Sequence, residues 1–213
     1  MIIKPSFRMR DDLHILRKLW HIGIGILGLL FYASSAIEQI QMAKALLIFS
    51  FVAFLTEFTR FRVVKLNNTL LKIMGPLMRE SERNGFSGLP YYALGVSLSL
   101  LLYEEKIAIL SILFLVFSDP ISSFFGILLG RDKILPNKSL QGAIAGFVTC
   151  YLTTLFYLRY YDYESLNALS FAIIAGLIGT ISELMSVLID DNLTIPVFSG
   201  LGLTILNKLF LIF

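Results

Sequence analysis

One acidic residue, Asp119, stands inside a long apolar run and is the first candidate for chemistry. It is followed at once by Pro120, which cannot donate to a helical hydrogen-bond ladder and leaves a carbonyl without its usual partner. A carboxylate at a helix break predicts a polar cavity within apolar sequence, and such buried charges are often functional. The alternative is a buried Asp that only caps the second half of a broken helix.

A second acidic feature is the run Asp190-Asp191-Asn192, which follows an apolar stretch that ends near Ile189. Carboxylate and amide oxygens suit magnesium, which takes one or two carboxylates together with phosphate oxygens and water. The same run is also typical of a helix-capping turn. Glu183 lies roughly 9 Å inside the end of that apolar stretch if it is helical. We expect Glu183 to serve a site or to pair with an arginine of a nearby loop.

Between these acidic features runs a basic loop that contains Gly130 and Arg131 and ends in Lys138, Ser139 and Gly142 at the predicted start of a helix. Exposed N–H groups, the positive end of the helix dipole, a lysine and a hydroxyl together predict a phosphate-binding loop. The spacing is not that of a P-loop. Basic loops that end in a capping serine are also ordinary connections between helices.

Other charged residues lie at the ends of the apolar stretches. Glu57 precedes Arg60 by three residues, a spacing typical of a surface ion pair on a helix. Basic residues beside Trp20 are typical of membrane-interface anchors. The remaining candidates for substrate contacts or structural roles are Arg17, Lys18, His21, Glu57, Arg60, Arg79 and Glu82.

The composition places these residues in a membrane protein. Of the 213 residues, 56% are hydrophobic and 15% are charged, and the mean hydropathy of +0.78 is too high for a soluble domain of this length. About 20 apolar residues cross the hydrocarbon as a helix. Seven stretches approach this length, with six or eight as alternatives: 19–37, 43–58, 89–103, 107–129, 139–158, 166–189 and 194–213. We predict an all-α, polytopic transmembrane bundle of about seven spans in one domain, residues 1–213.

The distribution of Lys and Arg predicts the orientation of the bundle. With the N-terminus inside, fourteen of the 18 basic residues fall on inner segments, and only Lys44, Lys106, Arg159 and Lys208 fall outside. Because basic loops stay in the cytoplasm, we predict an N-in, C-out arrangement with the candidate site at the cytoplasmic face. The net charge of +3 is that of basic loops beside anionic lipid, so no nucleic acid partner is expected.

No cleavage-site pattern follows the first apolar run. This absence and the short chain favour a prokaryotic inner membrane, with a eukaryotic organelle membrane as the alternative. The sequence does not indicate an oligomeric state.

Four groups of residues occur in an order that resembles a known family. They are Arg17-Lys18 with His21, Ser118-Asp119 with Gly126 and Gly130, Lys138-Ser139 with Gly142, and the run from Glu183 to Pro196 that contains Asp190-Asp191-Asn192. Together they resemble the CTP-dependent lipid kinases, the family of dolichol kinase, phytol kinase and yeast-type diacylglycerol kinase, which shares motifs with phosphatidate cytidylyltransferases. The likeness covers most of the chain, and the ordered set is more specific than any one group.

The resemblance implies transfer of the γ-phosphoryl group of CTP to a membrane lipid alcohol, with Mg²⁺ as cofactor. Phosphoryl transfer chiefly requires positioning and charge neutralisation. The implied catalytic residues are Asp119, as metal ligand or base, Lys138, and Glu183, which would orient Lys138 or the metal shell. The implied metal ligands are Asp119, Asp190 and Asp191. The implied nucleotide contacts are Gly130, Arg131, Lys138, Ser139, Gly142 and Asn192.

The chain departs from the family pattern at three positions. Ser118 stands where the family usually has Gly, Pro120 where it has Ala, and Gln141 where it commonly has Glu. Loss of that Glu removes a candidate ligand or base, which predicts altered chemistry, altered specificity or weak activity.

Two other functions are consistent with parts of the pattern. A phosphatidate cytidylyltransferase would also use CTP, Mg²⁺ and a membrane lipid, but it would release pyrophosphate instead of CDP. A transporter would also contain an intramembrane Asp and a Pro-broken helix, although no matched pair of broken segments occurs in the two halves. Phytol, polyprenol or dolichol, and diacylglycerol all stay open as the lipid alcohol.

Overall fold

The computed structural model describes residues 14–163, 166–187 and 189–213, and these residues form helices almost throughout. Lys4, Arg8 and Arg10, three of the basic residues assigned to the inner side, lie outside the described residues. The α-helices are α1 Ile15–Ser34, α2 Gln39–Arg60, α3 Val64–Met74, α4 Glu80–Asn84, α5 Gly88–Leu102, α6 Glu105–Leu113, α7 Asp119–Leu128, α8 Leu140–Tyr160, α9 Leu166–Leu184 and α10 Asp191–Phe210. Single 3₁₀ turns follow α3 at Gly75–Leu77 and α9 at Met185–Val187.

Six helical segments of the described chain are long and apolar enough to cross a membrane: Ile15–Ser34, Gln39–Arg60, Glu105–Leu128, Leu140–Tyr160, Asn167–Leu184 and Asp191–Phe210. The third predicted span corresponds to α5, a shorter apolar helix of 15 residues. The prediction of an all-α, polytopic helix bundle is therefore confirmed. A small antiparallel ribbon, β1 (Lys133–Leu135) with β2 (Lys138–Ser139), joins α7 to α8.

The predicted helix break at Asp119 is wrong, because α6 continues into α7 through a π-helical turn, Phe114–Ser118. In π-type pairing the partner of the Leu115 carbonyl would be the nitrogen of Pro120, which carries no hydrogen. The His21 Nε2 atom lies 3.1 Å from this carbonyl oxygen and acts as the donor when that nitrogen is protonated. A side chain of α1 thus satisfies the carbonyl that Pro120 leaves without a partner, and the helix does not need to break.

The two ends of the bundle differ in their side chains. At one end, ion pairs join Arg17 to Glu82, Lys138 to Glu183 and Arg79 to Asp191. We call this the polar end; it contains the starts of α1, α5, α8 and α10 and the ends of α2, α7 and α9. At the opposite end, which we call the aromatic end, Lys106 lies among the rings of Tyr161, Tyr163 and Phe213. Between them lies an apolar core that includes Leu110, Phe114 and Phe171.

Glycines bring α7 and α8 into close contact near the polar end. A Cβ atom on Gly142 would lie 2.9 Å from the carbonyl oxygen of Ser122 and 3.2 Å from the Cα of Gly126. Gly146, one turn further along α8, faces the Glu183 carboxylate in the same way. Small residues at this spacing allow helix backbones to approach closely. The start of α8 therefore lies directly beside the face of α7 that carries Ser122.

Candidate active site

A cavity of about 320 Å³ lies at the polar end, between α7, the β1–β2 ribbon, the start of α8 and the end of α9. Most of its lining side chains are polar or charged. Seven of them were predicted from the sequence: Arg79, Asp119, Lys138, Ser139, Gly142, Glu183 and Asp191. The cavity thus collects residues from five separate segments of the chain.

Lys138 and Glu183 form the central ion pair of this cavity. The Lys138 Nζ atom lies 3.0 Å from Glu183 Oε1, and the hydroxyl of Ser122 donates to the same oxygen at 2.6 Å. The side chain of Glu183 is 5% exposed, so its charge depends on these donors. Burial alone would lower the pKa of Lys138, but the carboxylates of Glu183 and Asp119 outweigh burial and raise it. Lys138 therefore stays positively charged in the cavity.

A second ion pair closes the cavity on another side. Arg79 Nη2 donates to Asp191 Oδ2 at 2.9 Å, which joins the segment before α4 to the first residue of α10. Burial opposes the charge of Arg79, but Asp191 and Asp119 raise its pKa. The cavity thus holds fixed positive charge beside its carboxylates.

The two adjacent carboxylates at the start of α10, Asp190 and Asp191, make different contacts. Asp190 Oδ1 accepts hydrogen bonds from the backbone N–H of Asn192 at 3.0 Å and from its side-chain amide at 2.7 Å, which caps α10. Burial and the neighbouring Asp191 raise the pKa of Asp190 to about 6. Of the acidic pair, Asp191 lines the cavity, whereas Asp190 forms the helix cap.

Asp119 lies deeper than these groups and connects the cavity to a second, smaller one. It starts α7, about 14 Å along the helix from Leu128, and it is 7% exposed. Asp191, Arg79 and Lys138 are all within electrostatic reach of its carboxylate. The small cavity, of about 30 Å³, is lined by Asp119 and by side chains at the start of α1: Arg17, Lys18 and His21, together with Arg79, Pro120 and Ser123.

Arg17 is held in place by Glu82. Its Nη1 atom lies 2.8 Å from Glu82 Oε1 and 2.7 Å from Glu82 Oε2, and Glu82 Oε2 also accepts the backbone N–H of Arg79 at 2.9 Å. Glu82 therefore orients two basic residues of the polar end at once.

The expected surface pair of Glu57 and Arg60 is instead buried. The side chain of Arg60 is 0% exposed, and it donates to Glu57, to Asn67 and to three backbone carbonyls between residues 82 and 85. Glu57 accepts the backbone N–H and the hydroxyl of Ser87. The pair is buried because the segment between α3 and α5 folds over the end of α2. The pair therefore has a structural role, since it holds that segment against α2.

The predicted phosphate loop is a β-ribbon that ends at a capped helix. Ser139 Oγ accepts the backbone N–H of Gly142 at 3.2 Å, and Gly130 packs against Ser139. Arg131 is exposed and is not among the residues that line the cavity. Gln141 accepts the backbone N–H of Arg131 and donates to Asp132 at 2.7 Å. Gln141 therefore stabilises the base of the ribbon and faces away from the cavity.

The described residues contain no group of three or more His, Cys, Asp or Glu side chains that could hold a metal by themselves. Mg²⁺ does not require such a group, since it commonly takes one or two carboxylates and completes its shell with phosphate oxygens and water. Asp119 and Asp191 line one cavity with a lysine and an arginine nearby, so these donors fit Mg²⁺ bound together with phosphate.

Three serines of the cavity were not predicted from the sequence, Ser122, Ser123 and Ser186, whereas Lys133 and Asn137 belong to the basic loop that was predicted to bind phosphate. Ser122 and Ser186 each lie three residues after a predicted site residue, Asp119 and Glu183, on the same face of a helix. That spacing is the signal that could have identified them. Asn192, predicted as a nucleotide contact, instead lies against Gly88 of α5.

Comparison with known proteins agrees with the motifs. The profile of the cytidylyltransferase family matches residues 6–189. CTP-dependent diacylglycerol kinase 1 of Schizosaccharomyces pombe is 34% identical over 201 residues, which cover 86% of this chain and 89% of that protein. The protein of the same name in Saccharomyces cerevisiae is 28% identical over 91% of this chain and 73% of its own length.

A more distant relative is the probable chloroplastic phytol kinase 3 of Glycine max, 27% identical over 88% of this chain and 61% of that protein. No solved structure matches the chain significantly. The match over most of the length, together with the ordered motifs, shows that the chain belongs to the cytidylyltransferase family and, within it, to the CTP-dependent lipid kinases.

Proposed function

We propose that this protein transfers the γ-phosphoryl group of CTP to a membrane lipid alcohol at the cytoplasmic face of the membrane. The observation that carries the proposal is the contact of 3.0 Å between Lys138 Nζ and Glu183 Oε1 in the same cavity as Asp119 and Asp191. A partly buried lysine that Glu183 holds beside two further carboxylates matches the demands of phosphoryl transfer, which are positioning and charge neutralisation.

Asp119 is the proposed base. It would accept the proton of the lipid hydroxyl while the hydroxyl oxygen forms a bond to the γ-phosphorus of CTP. The bond between that phosphorus and the oxygen bridging to the β-phosphate breaks, and its electron pair leaves with CDP. The products are a lipid phosphate and CDP, and the proton first remains on Asp119. Support comes from the depth of Asp119, between the main cavity and the small cavity beneath α1.

The phosphate charge would be met by the cations of the cavity. Lys138 is oriented by Glu183, and Arg79 and Lys133 line the same space. The N-terminus of α8 adds the positive end of a helix dipole. These groups act on the oxygens of the transferred phosphoryl group and so stabilise charge that develops during transfer.

Mg²⁺ would be held by Asp191 together with phosphate oxygens and water, and it would neutralise charge on the nucleotide phosphates, which leaves Asp119 to act as the base. Asp190, the other acidic residue expected to bind metal, is better assigned to the cap of α10. Asp191 is paired with Arg79, so a carboxylate that would hold the ion and a guanidinium that would bind phosphate lie on the same side of the cavity.

The cytoplasmic location of the site is supported by charge. The loops at the polar end carry most of the basic residues, including Arg60, Arg79 and Arg131, and such loops remain on the inner side of a membrane. CTP is a soluble nucleotide, so a site at this face would receive it directly. A protease-protection assay in oriented vesicles with cleavage sites in the α7–α8 connection tests this assignment.

The lipid is proposed to be diacylglycerol, because the S. pombe relative at 34% identity is named for that acceptor. The likeness to a phytol kinase makes phytol the second acceptor to test, followed by a polyprenol. Mixed micelles that contain each alcohol, Mg²⁺ and either CTP or ATP separate both substrate choices in one experiment. Transfer with CTP and diacylglycerol is the expected result.

The second candidate is synthesis of CDP-lipid from phosphatidate, which the match to the cytidylyltransferase profile favours. The position of the label distinguishes the two reactions. A kinase moves label from [γ-³²P]CTP into the lipid and leaves label from [α-³²P]CTP in CDP. Label from [α-³²P]CTP in the lipid, with release of pyrophosphate, would contradict the proposed kinase.

A further inference from the structure

A second large cavity, of about 310 Å³, lies beside the active site and is mainly apolar. We call it the α1–α2 groove. Its walls include Trp20 and Ile24 of α1, Phe49 and Ala53 of α2, and Pro90 of α5. From Arg17 to Ile24 it follows α1 for about 10 Å. It therefore runs from the polar end into the part of the bundle that apolar residues surround.

The α1–α2 groove adjoins the proposed active site. Arg17 and His21 line both the groove and the small cavity, and Asp119 and Arg79 line both the small cavity and the main one. The polar end of an extended molecule in the groove would therefore lie beside the small cavity that Asp119 lines. The three cavities are therefore neighbours, with the small cavity between the α1–α2 groove and the main cavity.

The groove is lined by two residues with buried polar atoms that lack a hydrogen-bond partner in the described part of the chain. The hydroxyl of Tyr92 and the side-chain oxygen of Asn192 are buried and make no hydrogen bond among the described residues, and both residues line the groove. Asn192 is 2% exposed. Because buried polar atoms normally have a hydrogen-bond partner, these two atoms point to a polar group of a bound molecule next to them.

The helix α1 leaves the groove open to lipid. Among the described residues of α1, only Gly25 is buried, and Trp20 and Ile24 are 48% and 42% exposed. A molecule with an apolar chain and a polar head could therefore enter sideways from the bilayer, whereas CTP would have to cross apolar side chains. The chemistry of the groove thus fits the acceptor and not the nucleotide.

We propose that the α1–α2 groove binds the lipid alcohol, with the chain nearest its hydroxyl between α1, α2 and α5 and the hydroxyl beside His21 and Asp119. The proposal rests on the proposed function and specifies its acceptor site. Tyr92 and Asn192 hydrogen-bond the polar linkage of the lipid. Trp20, Ile24 and Ala53 contact the first methylene groups.

The test uses two substitutions of the same kind on one helix. Ala53→Trp fills the groove, whereas Ala45→Trp adds the same side chain at an exposed position of α2 that does not line it. Excluding about two methylene groups weakens lipid binding by about tenfold. We expect Ala53→Trp to raise the KM for long-chain diacylglycerol by this factor and to leave the KM for CTP unchanged, and Ala45→Trp to change neither.

Photo-crosslinking tests lipid binding in the groove without requiring phosphoryl transfer. A diacylglycerol with a diazirine on its acyl chain should label peptides that contain residues 17–24 or 49–57, with less labelling in Ala53→Trp than in Ala45→Trp. Ala53→Leu provides a smaller block if the tryptophan variant unfolds. Labelling confined to other helices, or equal labelling and equal KM in the two tryptophan variants, overturns the groove proposal. Groove labelling without phosphoryl transfer keeps the groove and refutes the kinase.

Discussion

The two ends of the bundle differ in whether their charged and polar side chains are enclosed by the protein or line a cavity. At the aromatic end, Lys106 is enclosed by Tyr161, Tyr163 and Phe213, and Asn207 bonds the backbone of the last two residues. At the polar end, the ion pairs of Lys138 and Arg79 line an open cavity. At the aromatic end the charged and polar groups are paired within the protein, whereas at the polar end the charged side chains face a cavity that a ligand could fill.

Unpartnered polar atoms show the same difference. Four buried side-chain atoms lack a hydrogen-bond partner among the described residues. The atoms of Tyr92, Glu183 and Asn192 lie toward the polar end, and the Ser99 hydroxyl lies further along α5, toward the aromatic end. Because such atoms cost stability unless a ligand pairs with them, the contrast supports the proposed binding site at the polar end and a structural role for the aromatic end.

The largest effect is expected from breaking the central ion pair. Lys138→Met leaves the buried Glu183 carboxylate without its cation, which costs about 3 kcal/mol, and removes a phosphate contact, which lowers kcat by about 100-fold. Adding Glu183→Gln should recover thermal stability without recovering kcat. Differential scanning fluorimetry and the transfer assay measure the two effects. Recovery of both by the double variant would show that the pair is only structural.

A large loss of stability is expected when the buried ion pair of Glu57 and Arg60, at the polar end, is perturbed. Arg60 reaches five acceptors, and lysine has three donors without the planar fork, so Arg60→Lys should lower the free energy of unfolding by about 2 kcal/mol. Arg62→Lys, two residues along on an exposed position, is the matched control. Equal melting temperatures for the two variants would contradict the structural role.

A smaller effect is expected at the aromatic end. Lys106→Met removes the cation from its ring of aromatic side chains and should cost about 1 kcal/mol of stability, while kcat and both KM values stay unchanged. The variant is also the charge-matched control for Lys138→Met. A loss of activity comparable to that of Lys138→Met would remove the functional distinction between the two ends.

The smallest effect is expected at Gln141, the position where the family commonly has Glu. Gln141→Glu replaces a donor to Asp132 with a like charge on an exposed surface, so stability should fall by about 0.5 kcal/mol. Activity should stay within about twofold, because each tenfold change requires about 1.4 kcal/mol and the side chain does not line the cavity. A large gain in kcat would instead restore the view that this position supplies a ligand or base.

The sequence predicted the helices and the gathering of the candidate residues at one end of the bundle, because both follow from hydropathy and from the alternation of direction between successive spans. Hydropathy also marked α5 as the short one. It could not predict which helices are side by side, since lipid-facing and protein-facing residues are equally apolar here. The pairing of Arg79 with Asp191, 112 residues apart, depends on that lateral arrangement.

Individual roles were harder to predict where one motif contains two structural tasks. Asp190 and Asp191 are adjacent and chemically identical, yet one caps α10 and the other faces the cavity, because successive residues at a helix start point in different directions. Pro120 was expected to break its helix, but a π-helical turn and a donor from His21 accommodate it. Neither the turn nor the donor from another helix leaves a pattern in the local sequence.

The most direct test of the central claim compares two isosteric substitutions at opposite ends. Asp119→Asn removes the proposed base, whereas Asp162→Asn changes an exposed carboxylate at a positive φ of 59° that Asn also tolerates. In transfer from [γ-³²P]CTP to diacylglycerol, the wild type and Asp162→Asn should label the lipid equally, and Asp119→Asn should be slower by about 100-fold or more. Equal labelling by a folded Asp119→Asn variant would contradict the assignment of the polar end as the active site.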